Sequence, residues 1–170
     1  MRKWIIAGGC LLLVALLACA CGAKKASQAG KETVKVERVV DGDTLEVTLN
    51  GKKEKIRLIG VDTPETKKAN TPVMFYGKEA SDFTTKRLEK QSVELEYDVD
   101  KKDQYDRVLA YVWIGDELFN RTLVQEGYAR MATFPPNVKY VNDFKKDQES
   151  ARKAKKGIWQ NYDKAFDTAK

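Results

Sequence analysis

The chain has 170 residues, enough for one globular domain and too few for two of ordinary size. Its 31 basic and 25 acidic side chains leave a formal charge of +6, which favours an anionic partner such as nucleic acid or an acidic membrane. There is no histidine, so serine–histidine and cysteine–histidine machinery, histidine zinc sites and imidazole proton shuttles are all excluded. The three cysteines, Cys10, Cys19 and Cys21, sit together near the start, which leaves the body without a disulfide, a thiolate metal site or a cysteine nucleophile. Catalysis in such a body is left to carboxylates, guanidinium or ammonium groups, hydroxyls or an oxygen-ligated metal.

Arg2 and Lys3 head an apolar run from Trp4 to Cys21, broken only by Gly8 and Gly9, which reads as an export signal. The run ends Leu16-Leu17-Ala18-Cys19-Ala20-Cys21-Gly22. A leucine three places before a cysteine, with a small residue directly before it, resembles the lipobox of bacterial lipoproteins. In that family the cysteine thiol receives diacylglycerol and becomes the mature N-terminus. Leu16 and Ala18 make Cys19 the better match and Cys21 the second. Besides simple secretion, an uncleaved anchor is the alternative to lipidation, because a run of this length just spans a bilayer. Either leaves the domain on the outer side of a membrane. Gly22 to Thr33 is small and polar without an apolar period, as in a flexible tether. The expected organisation is a signal over 1–18, a lipid anchor and tether over 19–33, a folded domain over 34–162 and a tail over 163–170.

Within the body, Val34 to Val40 reads as a strand whose phase changes at Val39-Val40, the mark of a bulge or bend. Leu45, Val47 and Leu49 then alternate with polar residues as in a half-buried strand. Asn50-Gly51 follows, the dipeptide best suited to a type I′ hairpin, and Ile56, Leu58 and Gly60 form the returning strand. A helix is expected from Tyr76 or Gly77 to Lys90, with Tyr76, Ala80, Phe83, Arg87 and Leu88 near one stripe. Val93, Leu95, Tyr97 and Val99 alternate as a fourth strand, and Val108 to Ile114 is a continuous apolar run suited to a fifth. Phe119 to Glu126 reads as a short helix closed by Gly127. A last helix runs from about Asn142 to Lys156 with Phe144, Gln148, Ala151 and Ala154 inward, after which Ile158 and Trp159 pack back on the core. Three strands, a helix, two strands and two helices make an α+β chain on the plan of the five-stranded OB-fold barrel.

Three segments gather unusual polar residues at strand ends: Val40-Asp41-Gly42-Asp43-Thr44, Ile56 to Glu65, and Asp103 to Tyr111. Singly each has a plain explanation, such as a turn at Asp-Gly-Asp or a β-turn at Asp62-Thr63-Pro64-Glu65. Arg57, however, lies in a strand otherwise built for burial, where an unpaired guanidinium costs several kcal/mol. It needs an anion. Asp43 and Asp62 would crowd their charges unless a cation joined them, and their oxygens suit Ca²⁺ or Mg²⁺. Two arginines, two or three carboxylates and a hard cation form a kit for phosphodiester cleavage. The Lys145-Lys146 pair and the cluster from Lys153 to Lys156 fit a solvated helix face or a phosphate-tracking surface.

Taken together, VVDGDTLEV, IRLIGVDTPET, FYGKEASDFT and DQYDRVLAYV, in this order and spacing, closely resemble the staphylococcal nuclease family. The likeness runs from about Val36 to Trp159. It implies an OB-fold barrel with three helices and a monomeric, Ca²⁺-dependent nuclease that acts on DNA and RNA, leaving 3′-phosphate and 5′-hydroxyl ends. Carried over position by position, Asp43 and Asp62 match the calcium carboxylates and Thr63 the residue whose carbonyl is a third ligand. Glu65 matches the residue that orients or deprotonates the attacking water, Arg57 and Arg107 the guanidiniums on the scissile phosphate, and Tyr105 a contact to a terminal phosphate. Gln104 departs from a lysine in the family pattern. Ala132-Thr133-Phe134-Pro135-Pro136 lacks two base-flanking tyrosines, with Phe134 a candidate to replace one. A non-catalytic relative that only binds nucleic acid is the alternative; it typically lacks some of these charges, and all five are present here.

Overall fold

The computed structural model describes residues 30–66 and 73–166, so the expected export signal, Cys19, Cys21 and most of the expected tether lie outside the described residues. Among the described residues no helix is long and apolar enough to cross a membrane. Three antiparallel strands open the fold: β1 (Lys31–Asp41), β2 (Thr44–Leu49) and β3 (Lys52–Leu58). β1 thus begins three residues ahead of the strand read from the apolar alternation. Asn50 and Gly51 take φ of 50° and 75°, the paired positive angles of a type I′ turn, and Leu49 pairs with Lys52 across it.

Register shifts interrupt the β1–β2 ladder between Val36 and Arg38 and between Val39 and Asp41, the second falling at the expected change of phase. The bent strand is shared by both halves of the sheet. Lys31 to Lys35 pair with β5 (Ser92–Glu96), while Val36 to Asp41 pair with β2. β5 pairs with β6 (Val108–Ile114), and β6 closes on β3 in parallel, matching Ile56 to Val108, Arg57 to Leu109 and Leu58 to Ala110. The strands β3-β2-β1-β5-β6 therefore form a five-stranded mixed barrel, consistent with the OB-fold.

The remaining elements are β4 (Val61–Asp62), α1 (Gly77–Leu88), β7 (Glu117–Leu118), α2 (Phe119–Gln125), β8 (Arg130–Met131), α3 (Val141–Lys153), a 3₁₀ turn (Gly157–Gln160) and α4 (Tyr162–Phe166). Val36, Leu45, Val47, Ile56, Leu95 and Val112 fill the barrel, and Phe119, Leu123 and Phe144 bring α2 and α3 into the same core. Ile158 is also buried, as the sequence led us to expect.

Three local expectations differ. The fourth strand stops at Glu96, which is buried rather than outward, while Val99 is exposed. Burial is tolerated because Trp113, Tyr140 and Lys139 all donate to the Glu96 carboxylate. Inside α1 the polar Thr84 is buried and donates its hydroxyl to the Gly42 carbonyl at 2.8 Å. At the end of α3, Ala154 is exposed, since the helix stops at Lys153 and Lys155 turns to φ 50°.

Asn120 on α2 was not singled out by any pattern, yet it is fully buried and joins three elements. Its Oδ1 accepts the Val112 N–H and its Nδ2 donates to the Ile59 carbonyl, both at 2.8 Å. Replacing it by alanine leaves one donor and one acceptor without partners inside the protein. We expect Asn120→Ala to lose at least about 2 kcal/mol in urea unfolding. A loss within the experimental error of wild type would show that these bonds do not hold the β3–β4 corner.

Candidate active site

The barrel register decides which charges meet. Arg57 lies opposite Thr44 on β2 and opposite Leu109 on β6. Asp43 immediately precedes the first of these partners, and Arg107 stands two residues before the second. Three distant segments thus reach one corner through hydrogen-bonded strands.

Asp43 occupies the tight link between β1 and β2 and is only 6% exposed. Its Oδ2 accepts the N–H of Thr63 at 2.9 Å and the Thr63 hydroxyl at 3.2 Å, and its Oδ1 accepts the Thr44 hydroxyl at 3.1 Å. The approach needs a glycine at 42, because a Cβ there would lie 2.8 Å from the Thr63 side chain. Arg57, with its side chain 15% exposed, donates through Nη1 to the carbonyls of Leu58 and Val61, each at 2.8 Å. Its Nη2 lies 3.2 Å from Asp43 Oδ2 and 3.5 Å from Asp62 Oδ1. The strand arginine therefore has its anion twice over. One cationic nitrogen serves both carboxylates.

Burial is the strongest influence on Asp43 and outweighs the opposing charge of Arg57, while Asp41 adds repulsion; its carboxyl is pushed up to about 6. Asp43, Asp62 and the oxygens of the Thr63 segment are hard donors suited to a divalent cation of the calcium type. Among the described residues no group of three or more carboxylates is poised to hold a metal.

Arg107 is set by a turn. Asp103 Oδ1 accepts the N–H groups of Tyr105 and Arg107 at 2.9 and 3.0 Å, and its Oδ2 accepts the Arg107 Nε at 2.7 Å. Although burial opposes it, these bonds keep the Asp103 carboxyl below its usual value. Asp103 was part of the quoted motif without a role; an aspartate bonding the amide two residues on is the signature that reveals it. Arg57, Arg107, Gly60, Gln104, Tyr105 and Phe134 line one cavity of about 430 Å³. At its edge Tyr105 and Phe134 are 71% and 74% exposed, and Tyr105 lies 5.5 Å from the Arg107 guanidinium carbon. Glu65 stands on the loop leaving Asp62, where its Oε1 accepts the Thr66 N–H at 2.9 Å. Lys145, Lys146, Lys153, Lys155 and Lys156 are all exposed at α3 and its end, apart from the residues of this cavity.

A model of the family described as staphylococcal nuclease homologue matches residues 55–161. The chain is also 55% identical over 135 residues to the thermonuclease of Staphylococcus hyicus, covering 79% of this chain and 80% of that relative. It belongs to the staphylococcal nuclease family. The thermonuclease of Staphylococcus intermedius is 51% identical over 137 residues, covering 81% of this chain and 82% of its own. Endonuclease YncB of Bacillus subtilis (strain 168) is 42% identical over 128 residues, or 74% of this chain and 61% of that protein. These relatives support a nuclease hydrolase.

The raised Asp43 carboxyl sets a pH dependence. Unfolded, it titrates near the ordinary value of about 4; folded, it holds its proton to about 6. Its contribution to stability is therefore complete below about pH 4 and is lost as pH rises through 6, on the order of 2–3 kcal/mol. In divalent-free buffer, Asp43→Asn should gain on wild type by this order between pH 4 and pH 7 in urea unfolding. A difference that does not change with pH would contradict the assignment.

Proposed function

We propose that this chain is a calcium-dependent extracellular nuclease that hydrolyses DNA and RNA to 3′-phosphate and 5′-hydroxyl products. The observation that carries the reading is the convergence of Arg57 and Arg107 on one cavity, with Asp43 and Asp62 meeting at Arg57. Asp43, Asp62 and the Thr63 carbonyl would hold the ion. When bound, calcium would polarise a phosphate oxygen and offset its charge.

The chain's own residues supply the rest. Glu65 takes the proton of the attacking water as the new phosphorus–oxygen bond forms and the bond to the 5′ oxygen breaks, and that oxygen takes a proton from solvent to leave as the 5′-hydroxyl. Arg57 and Arg107 hydrogen-bond the phosphate oxygens as charge builds on five-coordinate phosphorus. Their forks are already fixed by the Leu58 and Val61 carbonyls and by Asp103, so little reorganisation is needed in the transition state. The exposed faces of Tyr105 and Phe134 give bases somewhere to stack, which suits a substrate that varies in sequence. The +6 charge of the chain favours the polyanion, and the Leu16-Leu17-Ala18-Cys19 segment supports a lipid-anchored location outside the cell.

The test follows acid-soluble nucleotide release from single-stranded DNA and from RNA, with end-group analysis. Chelation should abolish release and calcium should restore it. Arg107→Gly, with an unchanged circular dichroism spectrum, should lose about 10²–10³ in rate. Release that survives chelation would remove the calcium mechanism, and salt-sensitive binding without turnover would favour a non-catalytic module. In cells, Cys19→Ser should move the activity out of the lipid-anchored membrane fraction; an unchanged distribution would sink the anchor.

A further inference from the structure

Asp62 is held from behind by a residue that no motif marks. The short ladder between β4 and β8 pairs Asp62 directly with Arg130. Across it, Arg130 Nε and Nη2 both reach Asp62 Oδ2, at 2.9 and 2.8 Å. Arg57 meets the other oxygen, Oδ1. The two guanidiniums thus divide the carboxylate between them, one oxygen each.

Arg130 is in turn fixed by the end of the chain. Its Nη1 donates to the Tyr162 hydroxyl at 3.2 Å, and its guanidinium carbon lies 3.9 Å from the centre of the Phe166 ring. Tyr162 and Phe166 are four residues apart on α4, so one helix face offers both contacts. Tyr162 is itself stacked on Trp159, with ring centres 4.8 Å apart and planes within 3° of parallel. β8 is further tied down by the Met131 N–H on Gln148 Oε1 and the Ala132 N–H on the Gly60 carbonyl. The Asp62 side chain is 31% exposed.

We propose that Arg130, clamped by Tyr162 and Phe166, is a positioning residue that fixes the orientation of Asp62 and so decides which of its oxygens faces the cation. The C-terminal helix α4 thereby acts on the active site without touching it. This rests on the reading of Asp62 as a calcium ligand. Partners that orient a metal ligand matter beyond their own charge, and their loss commonly costs 10–100-fold in metal affinity or activity. Lysine keeps the charge of Arg130 but cannot place two donors on one oxygen or stack flat on a ring.

The experiment measures calcium binding by calorimetry without nucleic acid, beside turnover and thermal melting in chelator. It compares wild type, Arg130→Lys and the double variant Tyr162→Phe/Phe166→Ala, which keeps the arginine and removes its clamp. Arg130→Lys should weaken calcium binding about 10-fold or more, and the double variant should follow in the same direction by a smaller factor. Turnover at saturating substrate should fall with both. If Arg130→Lys does not fold, the double variant carries the test alone. A lower melting temperature with calcium binding and turnover at the parental values would make Arg130 a purely structural residue and overturn the proposal. A wild-type chain that takes up no calcium would overturn the calcium reading, and this proposal with it.

Discussion

Arg57 and Asp43 depend on each other, and the corner of the barrel is arranged around that pair. A carboxylate as secluded as Asp43 is costly to charge, and a guanidinium in an apolar strand is costly to leave alone. Each removes part of the other's penalty at 3.2 Å. Both groups are also bonded to fixed backbone positions: Arg57 donates to the Leu58 and Val61 carbonyls, and Asp43 accepts the Thr63 N–H. The pair therefore ties the β1–β2 link to the β3–β4 corner. It is also incomplete, since Asp43 still resists ionisation. A protein selected for stability alone would more readily pair such groups fully or replace them with apolar ones.

Strand register turns this local pair into a larger site. Parallel pairing of β3 with β6 sets Arg57 beside Leu109, and that alone brings the Asp103–Arg107 turn to the same cavity. A shift of one residue in this ladder would reverse the faces of β3 and send Arg57 elsewhere. The register is held by the apolar residues on either side, Ile56 and Leu58 against Val108 and Ala110, all buried. Packing that serves the core thus also sets the spacing of the two arginines.

Much of this was legible in the sequence where the signal is local. Asn50-Gly51 announced its hairpin because few other residues accept two positive φ angles in succession. The isolated Arg57 stood out because its neighbours in the strand are apolar, and Asp43 and Asp62 stood out by their place at strand ends. Long-range polar contacts were not legible. Glu96 followed the alternation that sends a side chain outward, yet three donors from distant positions draw it in. Asn120 and Arg130 carry no periodic or motif signal, and Thr84 closes a quoted motif that gave it no role; their partners lie 61, 68 and 42 residues away along the chain. The β4–β8 ladder is two residues long on each side, too short for any period to appear. α4 begins at Tyr162, the last residue of the expected domain, and runs on through Phe166 into the segment expected to be a tail.

The proposal that Asp43 and Asp62 hold calcium is the claim on which the account turns, and the carboxyl groups themselves report on it. With the side-chain carboxyl carbons labelled, their resonances can be followed while calcium is titrated into the nucleic-acid-free protein at neutral pH. The account predicts that Asp43 and Asp62 move together along one saturable curve, while exposed carboxyls such as Asp82 and Asp116 stay in place. Asp43 and Asp62 remaining still, or moving only in step with the exposed groups, would contradict it.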